Sequence, residues 1–110
     1  MNTPEGRVKD AVKKVLRGND IWFYMPVQNG MGMTGIPDFV CCAPITITPE
    51  MVGKTYGFFL GIETKAVGKE SNVSANQQRV IAAINNHGGV AFVTSDAELV
   101  MEKLQEHIHG

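Results

Sequence analysis

The fold is decided by residues 58–94, FFLGIETKAVGKESNVSANQQRVIAAINNHGGVAFVT. Apolar and polar side chains alternate over 58–65, as in a half-buried strand, and apolar residues recur at helical spacing over 75–86. A second apolar segment at 90–94 follows a glycine turn. A strand, a helix and a strand in this order predict a right-handed crossover that joins two parallel strands.

The chain before residue 58 adds a helix and two strands. NTPEGRVKDAVKKVLRGND opens with Thr3 as N-cap and Pro4 at the first helical position. IWFYMPV (21–27) and DFVCCA (38–43) predict the strands, and the glycine-rich segment at 28–36 predicts the loop between them. The apolar residues of the helix share one predicted buried stripe: Val8, Val12, Val15 and Leu16.

The chain after residue 94 predicts one more helix. SDAELVMEKLQEHI starts with a capping box from Ser95 to Glu98 and continues as an amphipathic helix. The element order is therefore α-β-β-β-α-β-α. We expect an α/β fold in which a mixed central β-sheet is flanked by helices.

Length and composition predict a single domain spanning residues 1–110. Hydrophobic residues make up 44% of the chain and charged residues 19%, as in folded soluble proteins. The sequence has neither an apolar run of about 18 residues nor a basic-then-apolar leader. We therefore expect no membrane partner and a cytoplasmic location.

The cysteines and histidines do not predict a zinc site. Cys41 and Cys42 are adjacent, so on a strand their side chains point to opposite faces and are poor disulfide partners. His87, His107 and His109 show none of the spacings of zinc ligands. A reducing compartment fits this pattern, and no organic cofactor is expected.

Asp38, Glu63 and Lys65 are the residue types that metal-assisted phosphodiester cleavage needs. Carboxylates are hard oxygen ligands for Mg²⁺, which is commonly held by one or two of them. A lysine beside them can activate water or offset charge in the transition state. The backbone carbonyl of Thr64 is a further candidate ligand. A lone E-x-K is common on solvated surfaces, so context has to support it.

Gln77 has two competing explanations. It precedes Val80 and Ile81 by three and four residues, which predicts that it faces the sheet and needs a polar partner such as Lys65. Alternatively, Ser74 to Gln77 forms a capping box in which the N3 glutamine bonds back to the N-cap. The local pattern slightly favours the cap.

Charged residues of the first helix also allow two explanations. Glu5 extends the line of the apolar stripe, which suits a site residue, but in the first turn it also stabilises the helix dipole. The basic residues of this helix, including Arg7, Lys9 and Lys13, form a weak electrostatic footprint for a phosphate backbone. A solvated helix face explains them equally well.

GIPDFV, GFFLGIETK and VSANQQ in this order resemble the PD-(D/E)XK nuclease superfamily, and within it the VRR-NUC domains, especially the small stand-alone bacteriophage type. The resemblance covers residues 29–100. It implies one VRR-NUC-like domain with a restriction-endonuclease-like αβββαβ core and a C-terminal helix.

The resemblance also implies roles for single residues. Asp38 and Glu63 would be metal ligands, Lys65 the catalytic lysine, and Gln77 the motif residue near that lysine. Glu5 would match an acidic residue that acts on the metal directly or through water. Relatives often have an arginine-rich spacer after the lysine, whereas this chain has AVGKESN, so Lys69 alone would contact phosphate there.

The expected function is that of a Mg²⁺- or Mn²⁺-dependent endodeoxyribonuclease. The resemblance implies branched substrates such as flaps and Holliday junctions, and symmetric cutting of a four-way junction needs two sites, hence a homodimer. A phage-encoded chain would act in the host cytoplasm. One rival is a nucleic-acid-binding or partner-binding module with structural carboxylates. A second rival is a sequence-specific restriction-type endonuclease.

Overall fold

The computed structural model describes residues 3–27 and 37–106. The chain divides after Tyr56 into two compact units, which are described one at a time. Of the features expected from the sequence, the glycine-rich segment at 28–36 lies outside the described residues, as do His107 and His109.

The first unit contains helix α1 and two short strands. Helix α1 (Pro4–Gly18) begins at Thr3, whose Oγ1 accepts a hydrogen bond from the Gly6 N–H at 2.9 Å, so the predicted N-cap is confirmed. Strands β1 (Trp22–Tyr24) and β2 (Val40–Cys42) pair antiparallel. A short 3-10 helix follows at Pro49–Met51.

The buried stripe predicted for α1 is present only in part, because Val12 and Leu16 are half-buried. Val8 is 63% exposed and Val15 is 60% exposed, and α1 has no buried residue. Strand β1 can cover only part of this helix, because a 15-residue helix is about 22 Å long, whereas a three-residue strand spans about 10 Å. Strand β1 meets the last turn of the helix, where the Arg17 guanidinium lies 5.6 Å from the centre of the Phe23 ring.

The second unit contains the predicted crossover. Strand β3 (Leu60–Thr64) leads to helix α2 (Ala75–Asn86), which leads to strand β4 (Val90–Thr94). The strands are parallel, in register from Leu60 beside Val90 to Thr64 beside Thr94, so the parallel pairing is confirmed. Strand β3 is shorter than predicted, with five residues paired to the five residues of β4.

Gly61 allows α2 to approach the sheet closely. A Cβ atom at this position would lie 3.2 Å from Ile84 Cδ1 and 3.3 Å from Ala91 Cβ, which is tighter than an ordinary carbon contact. Ile84 and Ala91 are both buried. The core of this unit therefore depends on a position without a side chain.

The two edges of the β3–β4 sheet differ. The Asn85 side chain donates from Nδ2 to the Ala91 carbonyl at 3.1 Å, and Asn85 Oδ1 accepts from the Ala91 N–H at 2.8 Å. The Asn85 amide thus binds the outward-facing backbone groups of Ala91 in the way that a neighbouring strand would. At the outer edge of β3, by contrast, no strand of the described residues pairs.

The last helix, α3 (Ala97–Leu104), begins one residue later than predicted. Its N-cap is Asp96, whose Oδ1 accepts from the Glu98 N–H at 2.9 Å, so the capping box from Ser95 to Glu98 is wrong. The Ser95 hydroxyl instead donates to the Glu70 carboxylate. The Ser95 side chain, which the local pattern assigned to the helix cap, thus binds a residue 25 positions away in the sequence.

The predicted α/β class is confirmed. The described strands form two two-stranded sheets, one in each unit. One continuous mixed sheet, the restriction-endonuclease-like core and the single domain stay predictions. No helix among residues 3–27 and 37–106 is long and apolar enough to cross a membrane.

Replacing Asn85 tests the edge contact. Asn85→Ala leaves the Ala91 N–H and carbonyl without their side-chain partner, so we expect the free energy of unfolding to fall by about 1–3 kcal/mol. Urea unfolding followed by circular dichroism measures it. Asn86→Ala is the matched control on the same turn, with an expected change within about 0.5 kcal/mol. Equal effects of the two variants would contradict the assignment.

A candidate active site on strand β3 and helix α2

Glu63 and Lys65 lie side by side at the end of β3. The Lys65 Nζ is 3.7 Å from Glu63 Oε2, and the side chains of Lys65 and Glu63 are 19% and 35% exposed. The Lys65 N–H donates to the Thr94 carbonyl at 2.9 Å, which continues the ladder beyond Thr64. Because strand residues alternate in direction, both side chains point to the face that α2 covers at Gly61.

Gln77 connects both charged groups to α2. Its Nε2 donates to Glu63 Oε2 at 3.0 Å, and its Oε1 accepts from Lys65 Nζ at 3.1 Å. The prediction that Gln77 faces the sheet and finds Lys65 is confirmed. The amide N–H group therefore faces the negative carboxylate, and the amide oxygen faces the positive ammonium.

Gln77 also closes the predicted capping box. The Ser74 N–H donates to Gln77 Oε1 at 3.0 Å, and the Gln77 N–H donates to Ser74 Oγ at 3.1 Å. The two explanations of Gln77 are therefore both correct, because one oxygen accepts from the N-cap and from the lysine. The sequence presented them as alternatives because the cap is a local pattern within one helical turn, whereas the contact with Lys65 joins residues 12 positions apart.

The donor atoms at this site suit a hard divalent cation. Glu63 Oε2 is engaged by Gln77 and Lys65, whereas Oε1 takes no hydrogen bond from any residue that the structure describes. The ladder uses the backbone of Phe59 and Lys65, so by alternation the Thr64 carbonyl points away from β4, to the outer edge of β3. A carboxylate oxygen and a backbone carbonyl are ligands that Mg²⁺ and Mn²⁺ accept.

A groove with a volume of about 360 Å³ gives access to the site. Glu63, Asn76 and Gln77 contribute to its walls, together with apolar residues such as Val80 and Ile81. The groove lies between β3 and α2, inside the second unit. The groove thus reaches the side chains of Glu63 and Gln77, while Lys65 is not part of its lining.

Asp38 and Glu5 belong to the first unit. Asp38 is exposed and precedes β2 by two residues. The Glu5 side chain is 80% exposed and lies 3.4 Å from Lys9 Nζ. Their convergence with Glu63 stays a prediction. Within residues 3–27 and 37–106, no three His, Cys, Asp or Glu side chains cluster as a metal site.

The basic residues expected to contact DNA differ in their surroundings, since two of them lie close to acidic side chains. Lys9 pairs with Glu5, and Lys13 Nζ lies 4.0 Å from Asp10. Such surface pairs contribute little to the stability of the fold. Arg7 is exposed, and so is Lys69 in the loop after β3. Binding of DNA by these residues stays a prediction.

The loop that carries Lys69 is fixed at several points. The Lys69 N–H donates to the Ala66 carbonyl and the Asn72 N–H donates to the Lys69 carbonyl, both at 2.9 Å. The adjacent Glu70 accepts from the Ser95 hydroxyl, a contact that sequence analysis missed because no local pattern signals it. This bond lowers the pKa of Glu70 below its ordinary value, and backbone N–H groups of Glu70 and Gly68 lower it further.

Comparison with known proteins adds no relative: no family model, no characterised protein and no solved structure matches the chain. The resemblance to the VRR-NUC domains thus rests on the motifs quoted above and stays a prediction. What the structure defines is an α/β protein whose second unit holds a glutamate, a lysine and a glutamine in one hydrogen-bonded cluster.

Removing the Ser95 hydroxyl tests the loop contact. Because the pKa of Glu70 is lowered in the folded chain, its stabilising contribution is complete above the ordinary glutamate pKa and is lost as pH falls through the folded-state pKa. We expect Ser95→Ala to raise the pKa of Glu70 toward its ordinary value, as measured by ¹³C NMR titration of the carboxyl group. Ser71→Ala, beside Glu70, should leave it unchanged. An unchanged titration of Glu70 in Ser95→Ala would show that the hydroxyl does not bind it.

Proposed function

We propose that this protein is a Mg²⁺- or Mn²⁺-dependent endodeoxyribonuclease that hydrolyses phosphodiester bonds in branched DNA. The observation that carries the proposal is the Gln77 amide, which holds the Glu63 carboxylate and the Lys65 ammonium next to each other. A charged pair of this kind on a solvated surface needs no such bridge. Here it is held in a fixed arrangement beside a groove.

The roles of the residues follow from their chemistry. Glu63 through Oε1 and Thr64 through its carbonyl would hold the cation, and Asp38 would be the second carboxylate in the proposed fold. A divalent cation, when bound, supplies Lewis-acid polarisation of the phosphate and a more acidic water. Lys65 hydrogen-bonds the attacking water and offsets the negative charge that grows on the phosphate oxygens. Gln77 keeps the lysine and the glutamate in place, and Glu5 assists through water or directly.

The proposed fold is the restriction-endonuclease-like αβββαβ core with its C-terminal helix. The α/β class, the parallel β3–β4 pair and the α2 crossover are compatible with the second half of that core. Among residues 3–27 and 37–106 no strand pairs with the outer edge of β3, which is compatible with the addition of a further strand there. The order of the motifs in the sequence supports the remaining elements of this proposed core.

The proposed substrate is a Holliday junction, a flap or another branched DNA. We found no sequence-reading module in the chain, which favours recognition of shape and backbone. Lys69, Arg7, Lys9 and Lys13 are the proposed phosphate contacts. A homodimer would present two sites to a four-way junction, one for each cut. The proposed location is the cytoplasm, or the host cytoplasm if the protein is encoded by a phage.

Cleavage assays test the proposal directly. Labelled four-way junction, flap and linear duplex are incubated with Mg²⁺, Mn²⁺ or EDTA, and products are resolved on denaturing gels. We expect metal-dependent cutting of the branched substrates, and a loss of at least about 100-fold in rate for Lys65→Ala and Asp38→Ala. Lys54→Ala, an exposed lysine of the first unit, is the control for loss of charge alone.

Other outcomes would decide against the proposal. If Lys65→Ala and Asp38→Ala cut as fast as the unmodified protein, the site is elsewhere. Binding of junctions without cleavage in either metal would indicate a binding module. Cutting of linear duplex at one fixed sequence would indicate a restriction-type enzyme.

A further inference from the structure

We propose that Ser74 is a positioning residue of this site, which acts through Gln77 and not on the substrate. The inference rests on the proposed function for its catalytic consequence. Ser74 is exposed and is the N-cap of α2. Its side chain and its backbone both bind Gln77, the residue that bridges Lys65 and Glu63.

The orientation of the Gln77 amide determines whether the bridge forms. Oε1 must face the Lys65 ammonium, and Nε2 must face the Glu63 carboxylate. A flipped amide would put N–H groups against an ammonium and an oxygen against a carboxylate, and both contacts would be repulsive. The Ser74 N–H, 3.0 Å from Oε1, is a third group that accepts only one of the two orientations.

Ser74 holds Gln77 at both ends. Its hydroxyl oxygen accepts from the Gln77 N–H at 3.1 Å, which fixes the backbone of the first turn, while its own N–H holds the side-chain oxygen. The side chain is thereby restrained before any substrate arrives. Restraint of this kind raises the rate because catalytic groups that are misplaced by about 1 Å lose roughly 100-fold in rate.

The later turns of α2 have their own anchors. Ile84 is buried against Gly61, and Asn85 binds both backbone groups of Ala91. Loss of the N-cap hydroxyl should therefore loosen the first turn, where Gln77 lies, and leave the rest of the helix packed. Ser74 binds Gln77, and Gln77 binds Lys65 and Glu63, so the effect of Ser74 on the two charged groups passes through Gln77.

Kinetics of Ser74 variants test the inference. We expect Ser74→Ala to lower kcat about tenfold and to change KM by less than about twofold, because ground-state binding of DNA does not use Gln77. Ser74→Thr retains a hydroxyl acceptor and should recover most of the loss. Ser74→Gly keeps most N-cap stability without the hydroxyl, so it should still lower kcat even if Ser74→Ala folds poorly.

Asp96→Ala is the matched control. Asp96 is the N-cap of α3 in the same unit, and its removal costs a similar amount of helix stability without touching Gln77. We expect Asp96→Ala and Ser74→Ala to lower Tm by similar amounts, with a loss of kcat only in Ser74→Ala. Equal loss of kcat in both variants would reduce Ser74 to a stabilising cap and overturn the proposal.

A measurement without substrate separates this inference from the proposed nuclease activity. ¹⁵N NMR of the Gln77 side-chain amide should show a restrained, shifted signal in the unmodified protein, in Ser74→Thr and in Asp96→Ala. Ser74→Ala keeps the backbone N–H of residue 74 but loses the hydroxyl that fixes the first turn, so the Gln77 signal should move toward that of a free glutamine. If the unmodified protein cuts no DNA but this pattern appears, the nuclease proposal fails and the positioning of Gln77 stands. An unmoved Gln77 signal in Ser74→Ala overturns the positioning role.

Discussion

The amide of Gln77 is the group on which the arrangement of the site depends. It lies in the first turn of α2 and bonds to the N-cap, to a lysine and to a glutamate. A partly buried amide must satisfy its donors and acceptor, so the helix start, the strand end and the two charges are fixed together. This constraint explains how Glu63 and Lys65 can share the covered face of β3.

Close packing makes that network possible. Gly61 brings α2 against β3 at Ile84, and the same approach brings the first turn within reach of the strand end. Asn85 then binds the outward-facing backbone groups of Ala91 on β4, and no strand of residues 3–27 and 37–106 pairs with the outer edge of β3. Within the second unit, the outward-facing backbone of Ala91 on β4 thus has a side-chain partner, whereas the Thr64 carbonyl on β3 is directed away from the ladder.

Local patterns predicted the elements well where they were strong. The bounds of α2 and β4, the N-cap of α1 and the parallel pairing follow from caps, periodicity and a crossover of fixed order. Predictions failed where a distant group competed with a local one. Ser95 binds Glu70 and leaves the cap of α3 to Asp96, and the apolar stripe of α1 exceeds the reach of a three-residue strand.

The sequence by itself determined the residue types, their periods and the faces on which they lie, since spacings of two and 3.6 residues are properties of the backbone. It therefore placed Glu63, Lys65 and Gln77 on facing surfaces and proposed a cap at Ser74. Only the tertiary structure decided that Gln77 serves the cap and both charges at once. These contacts join residues that are 12 and 14 positions apart in the sequence. Whether such residues touch depends on how closely the helix packs against the strand.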